Sequence, residues 1–176
     1  MYALLIGINH YAANPLYPDL RGCVRDIALV KGYLQNSLNV PDDHIWELIA
    51  TAPEDNSLAS IRSAAPAAAL LPTYANIVKA FATITATAPK GAQVYIHYSG
   101  HGGRAKTQYP QLKGSNQSDE SIVPTDFCLP GGRYLRDVEI ATLLKRMTDK
   151  GLIVTLILDS CHSGGATRGD KDNRGL

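Results

Sequence analysis

At 176 residues, with 45% hydrophobic and 19% charged side chains, the chain is long enough for one well-cored domain and too short for two comfortable ones. A net charge of +1, with no run of like charge, gives no electrostatic case for nucleic acid or an anionic membrane as partner. No apolar stretch approaches the ~20 residues that span a bilayer, the start "MYALLIGINHY" lacks a basic leader and a cleavage site, and three cysteines without framework spacing favour free thiols in a reducing, cytoplasmic setting.

Tyr2 to Ile8 is a short, wholly apolar run, as expected for a strand covered on both faces. In "RGCVRDIALVKGYLQNSL", Val24, Ile27, Ala28, Val30, Leu34 and Leu38 recur at helical spacing, ending before Pro41. Ile45 to Ala50 reads as a second strand, and the alanine-rich stretch from Ser57 to Pro72 as an irregular loop or short helix. A helix is predicted over Tyr74 to Thr87, stopped by Pro89. Gln93 to Tyr98 and Leu152 to Leu158 are the third and fourth strands. Between them, "RAKTQYPQLKGSNQSDES" reads as an exposed loop, Pro124 to Tyr134 as a small hairpin around Gly131-Gly132, and Asp137 to Lys150 as a helix. Strands alternating with helices imply one α/β domain whose mostly parallel sheet is covered by helices on both faces.

Ligands of such sheets bind outside the carboxyl ends of the strands. Two strands here end in small residues that present a reactive side chain: "VYIHYSGHGG" offers His101, and sixty residues later "LIVTLILDSCHSGG" offers Cys161. An imidazole beside a thiol shifts it toward the nucleophilic thiolate and later protonates a leaving amine. Gly102 and Gly103 would let the backbone turn so that N–H groups face a developing oxyanion. Taken singly, a cysteine at a strand end is a small buried hydrophobe, and His10, His44 and His97 read as structural or surface residues. Matching contexts at one sheet edge lift His101 and Cys161 above that reading. His162 adjoins the thiol but points to the opposite side, which makes it a poor base for Cys161.

"HYSGHGG" followed by "DSCHSGG" resembles the catalytic dyad of caspase-like cysteine peptidases, specifically metacaspases and orthocaspases. Animal caspases instead carry Q-A-C-[RQG]-G with the histidine about 50 residues upstream. The resemblance runs from the first strand through "LRGCVRD" to the cysteine motif. It implies a caspase-like three-layer sandwich, with Cys161 as nucleophile, His101 as general base and acid, and the N–H groups of Gly102 and Cys161 as the oxyanion hole. It also implies that Asp26, Ser99 and Asp159 line the substrate pocket. A carboxylate two residues before the nucleophile, where aspartate-directed caspases have glutamine, favours a basic substrate side chain and repels an acidic one. Asp26 read alone is equally a solvated helix-face acid. Cys23 matches a second cysteine found near the active site in some metacaspases, although its helical context suits core packing; Cys128 reads as structural.

Many metacaspases are activated by calcium through acids downstream of the histidine. Here "RAKTQYPQLKGSNQ" contains three basic residues and no acid, and Asp119, Glu120, Asp126 and Asp137 are scattered, so calcium independence and no cofactor are expected. The caspase-like fold continues past its cysteine strand, whereas only fifteen residues follow Cys161 here. The chain therefore reads as a large-subunit part over 1–176, with a C-terminal small-subunit part as partner. Arg168, Lys171 and Arg174 follow the cysteine in a polar, glycine-rich tail, and Arg168 and Arg174 are candidate self-cleavage sites. The alternatives are a catalytically silent caspase-like scaffold, against which the intact Cys161 and His101 count, and a caspase-like peptidase of another lineage with a different pocket. A nucleotide-binding domain is disfavoured because no G-x-G-x-x-G or Walker A run follows a strand.

Overall fold

Tyr2–Ile8 is apolar without alternation because both faces of the strand it forms are covered. Leu4, Ile6 and Ile8 enter one core; Ala3 and Leu5 enter the other. The computed structural model describes residues 1–12, 16–51 and 70–160. In chain order the elements are β1 (Tyr2–Ile8), α1 (Cys23–Asn36), β2 (Ile45–Ala50), α2 (Tyr74–Thr87), β3 (Gln93–Ser99), β4 (Gly102–Lys106), α3 (Pro110–Lys113), β5 (Ser118–Ile122), β6 (Leu135–Arg136), α4 (Asp137–Asp149) and β7 (Ile153–Asp159). The main sheet runs β2-β1-β3-β7 with every pairing parallel. Helix α1 covers one face through Ile27 and Leu34. Helices α2 and α4 cover the other through Ile77, Phe81 and Ile84, and through Ile140, Leu143 and Met147.

Local chemistry accounts for the helix ends. Thr73 caps α2 by accepting the Asn76 N–H at 3.2 Å, and Ala88, ahead of Pro89, is already extended. Glu139 reaches back to the Arg136 N–H at 3.0 Å and, with Asp137, puts negative charge in the first turn of α4. Helix α1 ends at Asn36, so Leu38 lies beyond it and is 44% exposed, not on its buried face. Asn39 then takes the left-handed conformation (φ 52°), and the Val40 N–H returns to the Leu34 carbonyl.

Two expectations are corrected. The stretch expected as an exposed loop builds β4, α3 and β5, and β4-β5-β6 is a second, antiparallel sheet. Its strands are short and polar, and Asp119 (fully buried) and Ser121 face inward, so no apolar alternation announces them. The segment around Gly131-Gly132 forms turns, not a hairpin of its own. The pairing lies outside it, as Ser121 opposite Arg136 and Ile122 opposite Leu135. Gly132 is packed so tightly there that a Cβ would lie 2.0 Å from the Asp126 carbonyl oxygen. The expectation for 57–72 lies, up to residue 69, outside the described residues.

Strand β7 pairs only with β3 among the described residues, and Ile153, Ile157 and Leu158 on it are exposed. An open edge with apolar side chains is a surface that pairs readily with further chain.

Gly7 sets how closely α1 approaches the sheet. A Cβ there would come within 2.8 Å of the Ile27 side chain, 3.1 Å of the Cys23 carbonyl and 3.2 Å of the Val24 Cα. Because Gly7 pairs with Ser99, this approach brings the first turn of α1 beside the end of β3. Gly7→Val should therefore lower the unfolding free energy by about 1–3 kcal/mol through overpacking, as measured by denaturant titration.

Candidate active site

β3 and β7 leave the sheet side by side in exact register: Ser99 stands opposite Asp159, and the Gly100 N–H still bonds to the Asp159 carbonyl at 3.3 Å. His101 and Cys161 each follow that matched pair by two residues. Cys161 itself, with Arg168 and Arg174, lies outside the described residues.

His101 sits at the turn from β3 into β4, and its neighbours hold it on several sides. Its Nε2 is 2.8 Å from the Pro18 carbonyl, which can only accept, so Nε2 carries the hydrogen and Nδ1 of the neutral ring is the available base. The ring packs against Tyr11 and Tyr17, with centroids 5.0 and 5.2 Å away. The His101 N–H donates to the Tyr11 hydroxyl at 2.7 Å, and the Tyr98 hydroxyl donates to the His101 carbonyl at 2.7 Å. Burial pushes the phenols of Tyr11, Tyr17 and Tyr98 well above their ordinary range, so these hydroxyls stay neutral.

The clamp comes from the loop after β1. The His10 imidazole pairs with Asp19 at 3.0 Å, the Leu20 N–H returns to the Asn9 carbonyl at 2.8 Å, and Thr125 Oγ1 donates to the His10 carbonyl at 2.7 Å. Sequence reasoning missed Tyr11, Tyr17 and Pro18. The available signal was the tyrosine- and proline-rich "HYAANPLYPDL" at the carboxyl end of the first strand, on the same edge as His101. The glycines around the histidine also differ from expectation. None of Gly100, Gly102 or Gly103 has a positive φ, and Gly102 and Gly103 begin a strand instead of a sharp turn. The need at Gly100 and Gly103 is space: a Cβ on Gly100 would lie 2.6 Å from the Tyr98 hydroxyl oxygen, and one on Gly103 would lie 2.5 Å from the Tyr134 ring.

On the α1 side of the same edge, Ser99 Oγ donates to Asp159 Oδ2 at 3.3 Å. Ser99 is buried, whereas the Asp159 carboxylate is exposed. Burial raises the Cys23 thiol, a hydrogen bond with Ser99 partly offsets this, and the charges of Asp26 and Asp159 raise it further. His97, one alternation before Ser99, is lowered by burial while the same two carboxylates pull it upward. Asp26 and Asp159 therefore act on one small region, and among the described residues neither forms an ion pair. The structure thus places Ser99 against Asp159, and the charges of Asp26 and Asp159 both reach Cys23 and His97.

Behind His101, the small sheet contains a cluster of opposite charges. Asp119 Oδ2 accepts from Arg136 Nη1 at 2.8 Å and from the Gln108 N–H at 3.0 Å, and its Oδ1 faces Lys113 Nζ at 3.2 Å. Lys113 also bonds to Asp137. Burial alone would raise the Asp119 carboxyl, but the Thr107 hydroxyl, the Gln108 N–H, Arg136 and Lys113 outweigh it and hold the group at about 2. No helix among the described residues is long and apolar enough to cross a membrane.

Comparison with known proteins matches residues 2–168 to the family described as metacaspase, peptidase C14 domain. Metacaspase-1 of Coccidioides immitis is 34% identical over 166 residues, covering 93% of this chain and 31% of that protein. Metacaspase-1 of Mycosarcoma maydis is 34% identical over 165 residues, covering 93% and 36%. The chain thus spans about a third of the length of these curated relatives. A crystal structure of a Geobacter sulfurreducens protein shares the fold, with a TM-score of 0.60 at 22% identity over 93% of this chain and 51% of that one. By the match over nearly its whole length, the chain belongs to the metacaspase family of C14 peptidases.

Proposed function

We propose that this chain carries the catalytic centre of a cysteine endopeptidase that cleaves proteins after Arg or Lys, with Cys161 as nucleophile and His101 as base and acid. The observation that carries this reading is the matched exit of β3 and β7, each two residues ahead of one member of the dyad. With Nε2 bound to the Pro18 carbonyl, His101 Nδ1 takes the thiol proton as Cys161 Sγ attacks the scissile carbonyl carbon. The resulting oxyanion is met by the N–H groups of Gly102 and Cys161. Collapse breaks the C–N bond, and the amine leaves with the proton from His101. Water, deprotonated by the same imidazole, then hydrolyses the thioester.

The basic preference rests on Asp159 and Asp26, two carboxylates in one region that have no cation among the described residues, with Ser99 as the pocket wall. A guanidinium or ammonium entering there gains charge-assisted hydrogen bonds from these carboxylates. The exposed edge and apolar faces of β7 support a C-terminal small-subunit part of the same precursor as the partner that pairs with it. The free thiols of Cys23 and Cys128 suit a cytoplasmic setting.

Cys161→Ala should abolish turnover of an Arg-ended reporter peptide while leaving the unfolding midpoint unchanged, and His101→Ala should abolish turnover and lower the midpoint through its lost packing and hydrogen bond; full turnover by a pure Cys161→Ala preparation would overturn the mechanism. Asp159→Asn should lose about 2–4 kcal/mol of transition-state binding, roughly 30- to 1,000-fold in kcat/KM on Arg- or Lys-ended peptides. Unchanged kinetics on those peptides would remove the basic pocket. A longer precursor should be cut after Arg168 or Arg174 only when active. Intact-mass comparison with its Cys161→Ala form checks this, because the same fragment in both points to an outside protease.

A further inference from the structure

We infer that Lys113, with Arg136, is a built-in cation for the Asp119–Asp137 carboxylate pair, so that this chain ties its small sheet to α4 without calcium and acquires a calcium response only when that positive charge is removed. Four elements meet in the cluster. Lys113 ends α3, Asp119 lies in β5, Arg136 ends β6 and Asp137 opens α4. The Lys113 ammonium stands between the two carboxylates, facing Asp119 Oδ1 at 3.2 Å and bonding to Asp137 Oδ2, and it also donates to the Ser118 carbonyl at 3.2 Å. Arg136 Nη1 bonds Asp119 Oδ2 and donates to the Lys106 carbonyl at 3.2 Å. Asp137 also accepts from the Val138 N–H at 2.8 Å and the Glu120 N–H at 3.3 Å.

Asp119 Oδ1 identifies the kind of occupant this place requires. It is fully buried without a well-formed hydrogen bond, and the Lys113 ammonium at 3.2 Å is the cation that faces it. Metacaspases that depend on calcium would need a hard, oxygen-rich shell of six to eight ligands, roughly. The cluster does not fit that ion. Its two carboxylates are already balanced by two cations, and a divalent ion at Asp119 would sit against an ammonium and a guanidinium. Lys113 keeps its proton, since the bond to Asp137 outweighs burial and raises it. No group of three or more His, Cys, Asp or Glu side chains suited to a metal gathers among the described residues.

The location gives the cluster a consequence for the site. β4 starts immediately after His101, and α4 runs into β7, which ends at Asp159. The ion pairs therefore fasten the segment that follows the histidine to the segment that leads to the cysteine, a linkage that a bridging metal could otherwise supply.

The test compares the wild type with Lys113→Asp and Lys113→Gln, measuring the thermal unfolding midpoint in calcium chloride and in EGTA, and calcium binding by titration calorimetry. Lys113 is about one-quarter exposed, so both side chains can reach solvent. The wild type should show the same midpoint in both conditions and no binding. Lys113→Asp, which adds a third carboxylate, should have a lower midpoint in EGTA that calcium raises by about 3 °C or more. Lys113→Gln should be destabilised with a weaker calcium response. A calcium-dependent rise in the wild type overturns the inference, as does a folded Lys113→Asp protein that ignores calcium. If Lys113→Asp does not fold even with calcium, Lys113→Gln decides by the same criterion. Activity on an Arg-ended peptide, unchanged by EGTA in the wild type, is read in parallel. This arm alone rests on the peptidase assignment, so an inactive wild type would count against that assignment while the midpoints still decide the cation.

Discussion

The parallel pairing of β3 with β7 is the constraint on which the rest of the site depends. Strand side chains alternate with a period of two, so a slip of one residue would send Asp159 to the opposite face from Ser99 and uncouple the two motifs. The register holds them together through Gly100 N–H to Asp159 carbonyl and through Ser99 hydroxyl to Asp159 carboxylate. Parallel neighbours need a crossover, and the crossover here is the whole segment from β4 through α4. The small sheet is therefore part of the connection that aligns the two strand ends.

Backbone and aromatic groups orient His101, with no carboxylate bound to its ring among the described residues. The Pro18 carbonyl selects the tautomer, and Tyr11 and Tyr98 bind the residue's own N–H and carbonyl. Asp19, the acid in the same loop, is taken by His10 and by the Tyr11 N–H. The phenols of Tyr11 and Tyr17 that enclose the ring are raised by burial and stay neutral.

Two pairs of acids in this molecule meet opposite fates. Asp119 and Asp137 are bridged by Lys113 and Arg136 and serve the packing of the small sheet. Asp26 and Asp159 both act on Cys23 and His97, and neither forms an ion pair among the described residues. Burial of one charge is tolerated only with its partner in place, whereas a half-open site can leave charge for a ligand.

The central strands and the three long helices among the described residues were legible in the sequence, because covering both faces of a strand removes alternation and covering one face of a helix imposes a period near 3.6. The carboxyl ends of β3 and β7 were legible as well, since each apolar run breaks there into small residues. Asp119 could not be read as a buried residue, because its compensating charges stand six residues earlier at Lys113 and seventeen later at Arg136. Tyr11 and Pro18 could not be read as the holders of His101, because they lie 90 and 83 residues before it. Hydropathy and spacing report each residue against its near neighbours in the chain. Ion pairing and hydrogen bonding across such separations depend on how the loops return to the sheet edge, and only the tertiary structure decides that.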